Sequence, residues 1–227
     1  MAKITSYPIG NADCSLTEFN DDRMMLVDYC HRKDPIDKKD KRVDLHEELH
    51  AVLAEKDRDD FDVVAFTHCD DDHVVGSEEF FWFDHADRYQ GKGRVKIKDL
   101  WVPACFVLEK GLKGAARVIR DEARFRLIGG SAIRVFGNPR ILDDWLRSEG
   151  IDPKSRDALI THAGECVPGF TKEKGSAEIF VHSPFSFRME DNDEVERNNA
   201  SLVFHLTFFE GASESRVMLG GDAQYEA

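Results

Sequence analysis

Apolar and polar positions along this chain alternate in short runs, most of them closed by a turn residue. Residues 3–9 read as a first strand ended by Gly10-Asn11, and residues 13–19 and 23–28 give the clearest hairpin signal, turned by Asn20-Asp21-Asp22. Residues 31–42 hold almost no apolar side chain and read as a solvated loop. Helical spacing first appears over about 44–56, where Leu45, Leu49, Val52 and Leu53 line up behind an Asp44/Glu47 capping box. The run Phe61-Asp62-Val63-Val64-Ala65-Phe66 predicts a buried strand leading into Thr67, and a helix is expected to begin between Gly76 and Phe83. Residues 94–103 alternate up to Pro103 as a strand with one wet face. A helical stripe over 112–127 stops at Gly129-Gly130, and its four Arg predict a solvated basic face. A further helix runs from Pro139 to Glu149, with Asn138 as cap and Pro139 in its first turn. Residues 155–175 are polar and Gly-rich, residues 177–183 form a strand, and a last hairpin pairs 201–208 with 216–219 before Gly220-Gly221-Asp222. Interleaved strands and helices predict an α/β class. With no internal repeat or low-complexity linker, one domain over 1–227 is expected.

Composition narrows the class without changing the pattern. The chain has 227 residues, 41% hydrophobic and 33% charged, as an ordinary globular protein does. Its longest apolar runs are strand-sized, far short of a membrane span, and Met1-Ala2-Lys3-Ile4-Thr5-Ser6 lacks the apolar core of a signal peptide. The expected location is therefore cytoplasmic, with no membrane segment. Five scattered Cys without a CxxC pair fit reduced thiols and disfavour a thiolate zinc site. The net charge of −13 excludes a protein that coats nucleic acid through a broad basic face, but not a phosphodiester substrate, since bound cations can dominate a local field.

The chemistry concentrates in Thr67-His68-Cys69-Asp70-Asp71-Asp72-His73-Val74-Val75-Gly76. Two imidazoles and three carboxylates at the end of a buried strand are ligands for hard-to-borderline divalent cations. The plain alternative is an acidic surface turn. Asp28 also ends a strand, either as a turn cap or as part of the same site. His162 in a Gly-containing loop is a weaker candidate ligand. His46-Glu47-Glu48-Leu49-His50 matches the HExxH pattern of zinc proteases, in which two His one turn apart bind zinc and Glu is the general base. Against that reading, Glu47 is already explained by the capping box and no third ligand follows. The six basic residues of loop 31–42 read either as a charged surface or as a lip for an anionic substrate.

Three pieces in order resemble the metallo-β-lactamase superfamily: Leu26-Val27-Asp28, the HxHxDH-type cluster His68–His73, and Gly221-Asp222. The ComEC-like branch of competence-protein hydrolases is the most similar, through Gly10-Asn11-Ala12-Asp13 and Asn198-Asn199-Ala200-Ser201. The resemblance spans roughly residues 3–227, with 84–175 matching only in outline. It implies an αββα sandwich of two mixed β-sheets with flanking helices and the metals at one edge. On the positions that match, it implies metal ligands at His68, Asp70, Asp72, His73 and Asp222, with Asp222 bridging two ions, and an orienting role for Asp28. Asp70 stands where the family has an imidazole, and Asn199 or its neighbours stand where the next His is due. A harder donor set makes Mn²⁺ a competitor of Zn²⁺, with one or two ions expected. The family's last His has no counterpart before Ala227, so a C-terminal segment or a protein partner is expected to complete the site.

The resulting expectation is a metal-dependent hydrolase, with a phosphodiesterase or nuclease favoured and a nucleic acid or nucleotide as substrate. Asp72 and Asp28 are the catalytic candidates. A carboxylic-ester or lactone hydrolase and a degenerate metal-binding interaction domain are the alternatives.

Overall fold

The structure is a computed structural model that describes residues 2–34, 36–173, 177–185, 200–211 and 213–223. Among the described residues ten strands and six α-helices follow one another, so the class is α/β. Strands β1 (Lys3–Ser6), β2 (Ser15–Glu18), β3 (Met24–Val27), β4 (Asp60–Ala65), β5 (Lys96–Pro103), β6 (Ile133–Phe136) and β7 (Ile160–Thr161) form one seven-stranded sheet in chain order. β1, β2 and β3 pair antiparallel, and β3 through β7 pair parallel. Strands β8 (Ala177–Ser183), β9 (Val203–Glu210) and β10 (Ser213–Leu219) form a second, wholly antiparallel sheet.

The parallel part needs strands that are apolar on both faces. β3 is buried at all four residues, and Val64 and Ala65 of β4 are fully buried. Alternate residues then serve different cores. Leu26 and Val64 face the helices α1 (Leu45–Glu55), α4 (Ala104–Leu108), α5 (Gly114–Gly129) and α6 (Arg140–Ser148). Met25, Val27, Val63 and Ala65 face Ile179, Val181, Phe204 and Leu206 of the second sheet. Trp101 marks that inner seam, its ring 5.3 Å from Phe136, 5.6 Å from Phe170 and 6.4 Å from Phe204. Among the described residues the layers run helices, large sheet, small sheet. The second sheet, as far as it is described, is antiparallel rather than mixed, which corrects the expectation of two mixed sheets.

Local sequence signals hold where side chains dictate the backbone. Asp44 caps α1, its Oδ1 accepting from the Glu47 N–H at 3.1 Å, and Leu45, Leu49 and Leu53 are the buried stripe. Gly130 ends α5 in the left-handed conformation at φ 80°, as a C-terminal Gly should. Other expectations shift. The helix expected to begin between Gly76 and Phe83 is a single turn, α3 (Ser77–Phe80), and another single turn, α2 (Asp71–Val74), precedes Gly76, which has φ 84°. Pro139 stands at the cap position of α6, ahead of its first turn. β6, β7 and α4 carried no recognised signal, being short and flanked by loops. The basic face of α5 is not all solvated, because Arg126 is buried against Glu122 at 2.6 Å.

Candidate metal centre

Parallel strands deliver their carboxyl ends to one edge, where ligands bind in open α/β sheets. β3 ends there in Asp28 and β4 in Phe66-Thr67-His68. Asp28 leaves the strand in the left-handed region, φ 58°, with its N–H donating to the Ala65 carbonyl at 2.8 Å. The carboxylate is thereby turned across the strand ends and buried, only 1% exposed. There Oδ1 accepts from the Thr67 N–H at 2.7 Å, and Oδ2 accepts from the Thr67 hydroxyl at 2.6 Å. The same Oδ2 lies 2.8 Å from His73 Nδ1. A carboxylate can only accept, so His73 carries its proton on Nδ1 and presents Nε2 as the free ligand atom.

His73 reaches this point because α2 turns the chain back within one turn of Asp70. Its ring centre is 3.8 Å from that of His68, and both imidazoles are buried. Asp222, two-fifths exposed, closes the group from the turn after β10: Oδ2 is 3.4 Å from His68 Nε2 and Oδ1 is 3.4 Å from His73 Nε2. The ligand atoms of His68, His73 and Asp222 all lie within 4.8 Å of one another. Asp222 is aimed by its neighbour. Gly221 has φ 49°, and a Cβ there would stand 2.8 Å from Thr67 Oγ1 and 2.9 Å from Thr67 Cβ. The backbone passes so close over Thr67 that only Gly fits.

Burial opposes a charge on His73, but the Asp28 hydrogen bond and the charges of Asp28, Asp222 and Asp72 outweigh it and hold the imidazole up to about 9. A cation taken up on Nε2 would therefore displace a proton. His68 is the sharper observation. It is 0% exposed, and neither Nδ1 nor Nε2 has a hydrogen bond. A buried imidazole with both nitrogens orphaned is costly unless something else satisfies it. Two imidazoles and a carboxylate with an open position form a donor set for Zn²⁺ or a neighbouring divalent ion, so the residues fit a metal.

Of the sequence candidates, the structure brings together His68, His73 and Asp222, with Asp28 behind His73. Asp72 is half-exposed, its Oδ2 3.8 Å from His73 Nε2, at the rim of the group. Asp70 occupies the N-cap of α2 and does not join the three-residue cluster. His162 is exposed in the loop after β7, its N–H bonded to Glu165 at 2.9 Å. Asn198 and Asn199 lie outside the described residues.

Two contributors were not singled out from the sequence. Thr67 braces Asp28, and its carbonyl accepts from the Leu202 N–H at 2.8 Å, pinning the approach to β9. Asp13, in the loop before β2, has its carboxyl raised by burial; His73 pulls it down, and Asp28, Asp222 and Asp72 push it up. The available signal was an Asp directly ahead of a buried strand, within the Gly-Asn-Ala-Asp turn. Comparison of the chain with protein-family models and with curated proteins finds no match to either.

Proposed function

We propose that this protein is a metal-dependent hydrolase of metallo-β-lactamase type, using His68, His73 and Asp222 as ligands and acting on a phosphodiester. The observation that carries the reading is His68, buried with two unsatisfied nitrogens beside His73 Nε2 and the Asp222 carboxylate. A divalent ion held there would supply Lewis acidity and activate water near neutral pH. The chain's own groups divide the remaining work. Asp28 fixes the tautomer and orientation of His73. Asp72 and Asp13 stand at the rim as proton acceptors, the Asp13 carboxyl raised by burial and by the charges of Asp28, Asp222 and Asp72 against the pull of His73.

The substrate class rests on charge. Arg32 and Arg42 of the 31–42 loop are close enough to Cys30 to lower its thiol, against burial, which raises it, and against Asp72 and Asp71, which raise it too. Arg32 and Arg42 on one side and Asp71 and Asp72 on the other thus act on the same thiol, which supports a basic lip for an anionic ester near the acidic cluster.

The test is hydrolysis of single-stranded DNA, duplex DNA, RNA and bis(p-nitrophenyl) phosphate with added Mn²⁺ or Zn²⁺. Cleavage that falls at least about 100-fold in His68→Ala and Asp222→Ala is expected, the scale of losing a principal electrostatic contribution. Activity unchanged in both variants, or no metal bound by the purified chain, overturns the proposal.

A further inference from the structure

A second gathering of imidazoles, sharing no residue with the first, lies where loop 31–42 starts beside α1. His46 and His50, one turn apart on α1, have ring centres 4.7 Å apart, and each meets the Phe80 ring at 5.1 Å. Residues at i and i+4 share a helix face, and packing on Phe80 holds both rings there. Among the described residues neither imidazole makes a hydrogen bond. His31 comes to the same face from the end of the β3 segment, its N–H donating to the Val75 carbonyl at 2.9 Å and its ring centre 6.3 Å from that of His46. His31 Nδ1 is buried without a hydrogen bond, 3.8 Å from the Asp44 carboxylate.

From this arrangement we propose a second cation site, in which His31, His46 and His50 bind a borderline divalent ion of the Zn²⁺ class and clamp the start of the basic loop to α1. Three imidazoles are an established donor set for such an ion, leaving a fourth position for water. The His46 and His50 ring centres are 4.7 Å apart on one helix face, within reach of a shared ion. His31, a quarter exposed, joins by turning about its side-chain torsions, with Asp44 next to its Nδ1 as the carboxylate that orients a metal-binding imidazole. The same residues account for the HExxH match without proteolysis: Glu47 is exposed, and its N–H serves the Asp44 cap. The ion would act on the loop that carries Arg32 and Arg42, so it bears on how firmly the basic lip is placed.

The test is Zn²⁺ uptake by the full chain, measured by equilibrium dialysis and elemental analysis. The His46→Ala/His50→Ala double variant should bind one equivalent less than the parent, and His68→Ala should retain that equivalent. His31→Ala should weaken it by more than about tenfold, the loss produced even by removing an outer-sphere partner. Equal uptake by parent and double variant overturns the site, whatever His68→Ala does to the first centre. A measurement on the unaltered protein guards against misfolded variants. Zn²⁺ should protect His31, His46 and His50 together from diethyl pyrocarbonate, read by peptide mass spectrometry. Labelling of the three unchanged by Zn²⁺, or protection of His46 and His50 without His31, overturns the three-ligand clamp.

Discussion

Thr67 holds the candidate metal centre together without belonging to its donor set. Its N–H and hydroxyl brace Asp28, its carbonyl anchors Leu202, and its side chain forms the floor beneath Gly221. The fit explains why Gly221 precedes the ligand Asp222. In Gly221→Ala the new methyl meets Thr67 at under 3 Å and the left-handed backbone adds roughly 1–2 kcal/mol of strain. We expect Asp222 to be displaced and Zn²⁺ affinity to drop at least about tenfold with the fold intact; a dialysis isotherm matching the parent would refute the fit. Asp28→Asn is the complementary change. It keeps the shape but removes the charge facing His73 Nδ1, and a loss of about 10–100-fold in metal affinity is expected. An unaltered isotherm would show that His73 is oriented by packing alone. The grouping of His68, His73 and Asp222 was legible in part because His68 and Asp222 each sit just past the end of a strand and His73 closes the same acidic run as His68. The roles of Thr67 and Asp13 were not, since they depend on which loops the sheet order brings over the strand ends.

At the scale of elements, α5 shows why charge along a helix is a poor guide to its exposure. Arg124 lies half-buried with its guanidinium 5.5 Å from the Trp145 ring and bonded to the Val107 carbonyl, and Arg126 is enclosed with Glu122. Glu122 Oε2 also accepts from the His85 N–H and contacts its Nδ1, both at 2.9 Å, while Arg126 reaches the Ile97 and Ala132 carbonyls at 3.0 and 2.9 Å. This network ties α5 to the strand β5 and to the 83–85 turn. Burial raises the Glu122 carboxyl, but His85 and Arg126 prevail and hold it below the ordinary 4.5. A carboxyl lowered in the folded state adds stability above its unfolded value, and that stability is lost as pH falls through the folded value. Glu122→Gln should cost about 1.5–3 kcal/mol at neutral pH, because Arg126 loses its buried carboxylate and keeps only Asp84 at 3.5 Å and the two carbonyls. The gap between parent and variant in urea unfolding should be smaller at a pH below the ordinary 4.5 than at neutral pH. A gap of equal size at both pH values would mean that packing, not charge, is what Gln disturbs. β6 and β7 were illegible for a related reason. β6 places Arg134 among four residues and β7 has only two, so neither offers a period long enough to read.

At the scale of the whole molecule, the two sheets meet along the Trp101 seam and again at the His68/His73/Asp222 group. His68 and His73 follow β4 of the large sheet, whereas Asp222 follows β10 of the small one. β10 is exposed over six of its seven residues, so little apolar burial holds its end in place. A cation there would tie a weakly buried strand end to the most buried part of the fold. An ion that binds only the folded chain stabilises it by RT ln(1 + [L]/Kd), about 2.7 kcal/mol at a hundredfold excess over Kd. For a domain of this size that raises the melting temperature by roughly 5–10 °C, at about 2–4 °C per kcal/mol. Asp222→Ala removes the one ligand supplied by the small sheet, so most of the Zn²⁺-dependent rise should vanish while the metal-free melting temperature stays near that of the parent, Asp222 being two-fifths exposed. To keep the His31/His46/His50 site out of the measurement, the comparison is made in a His46→Ala/His50→Ala background. If Zn²⁺ raised both melting temperatures equally there, the ion would be held by the large sheet alone and Asp222 would not join the two.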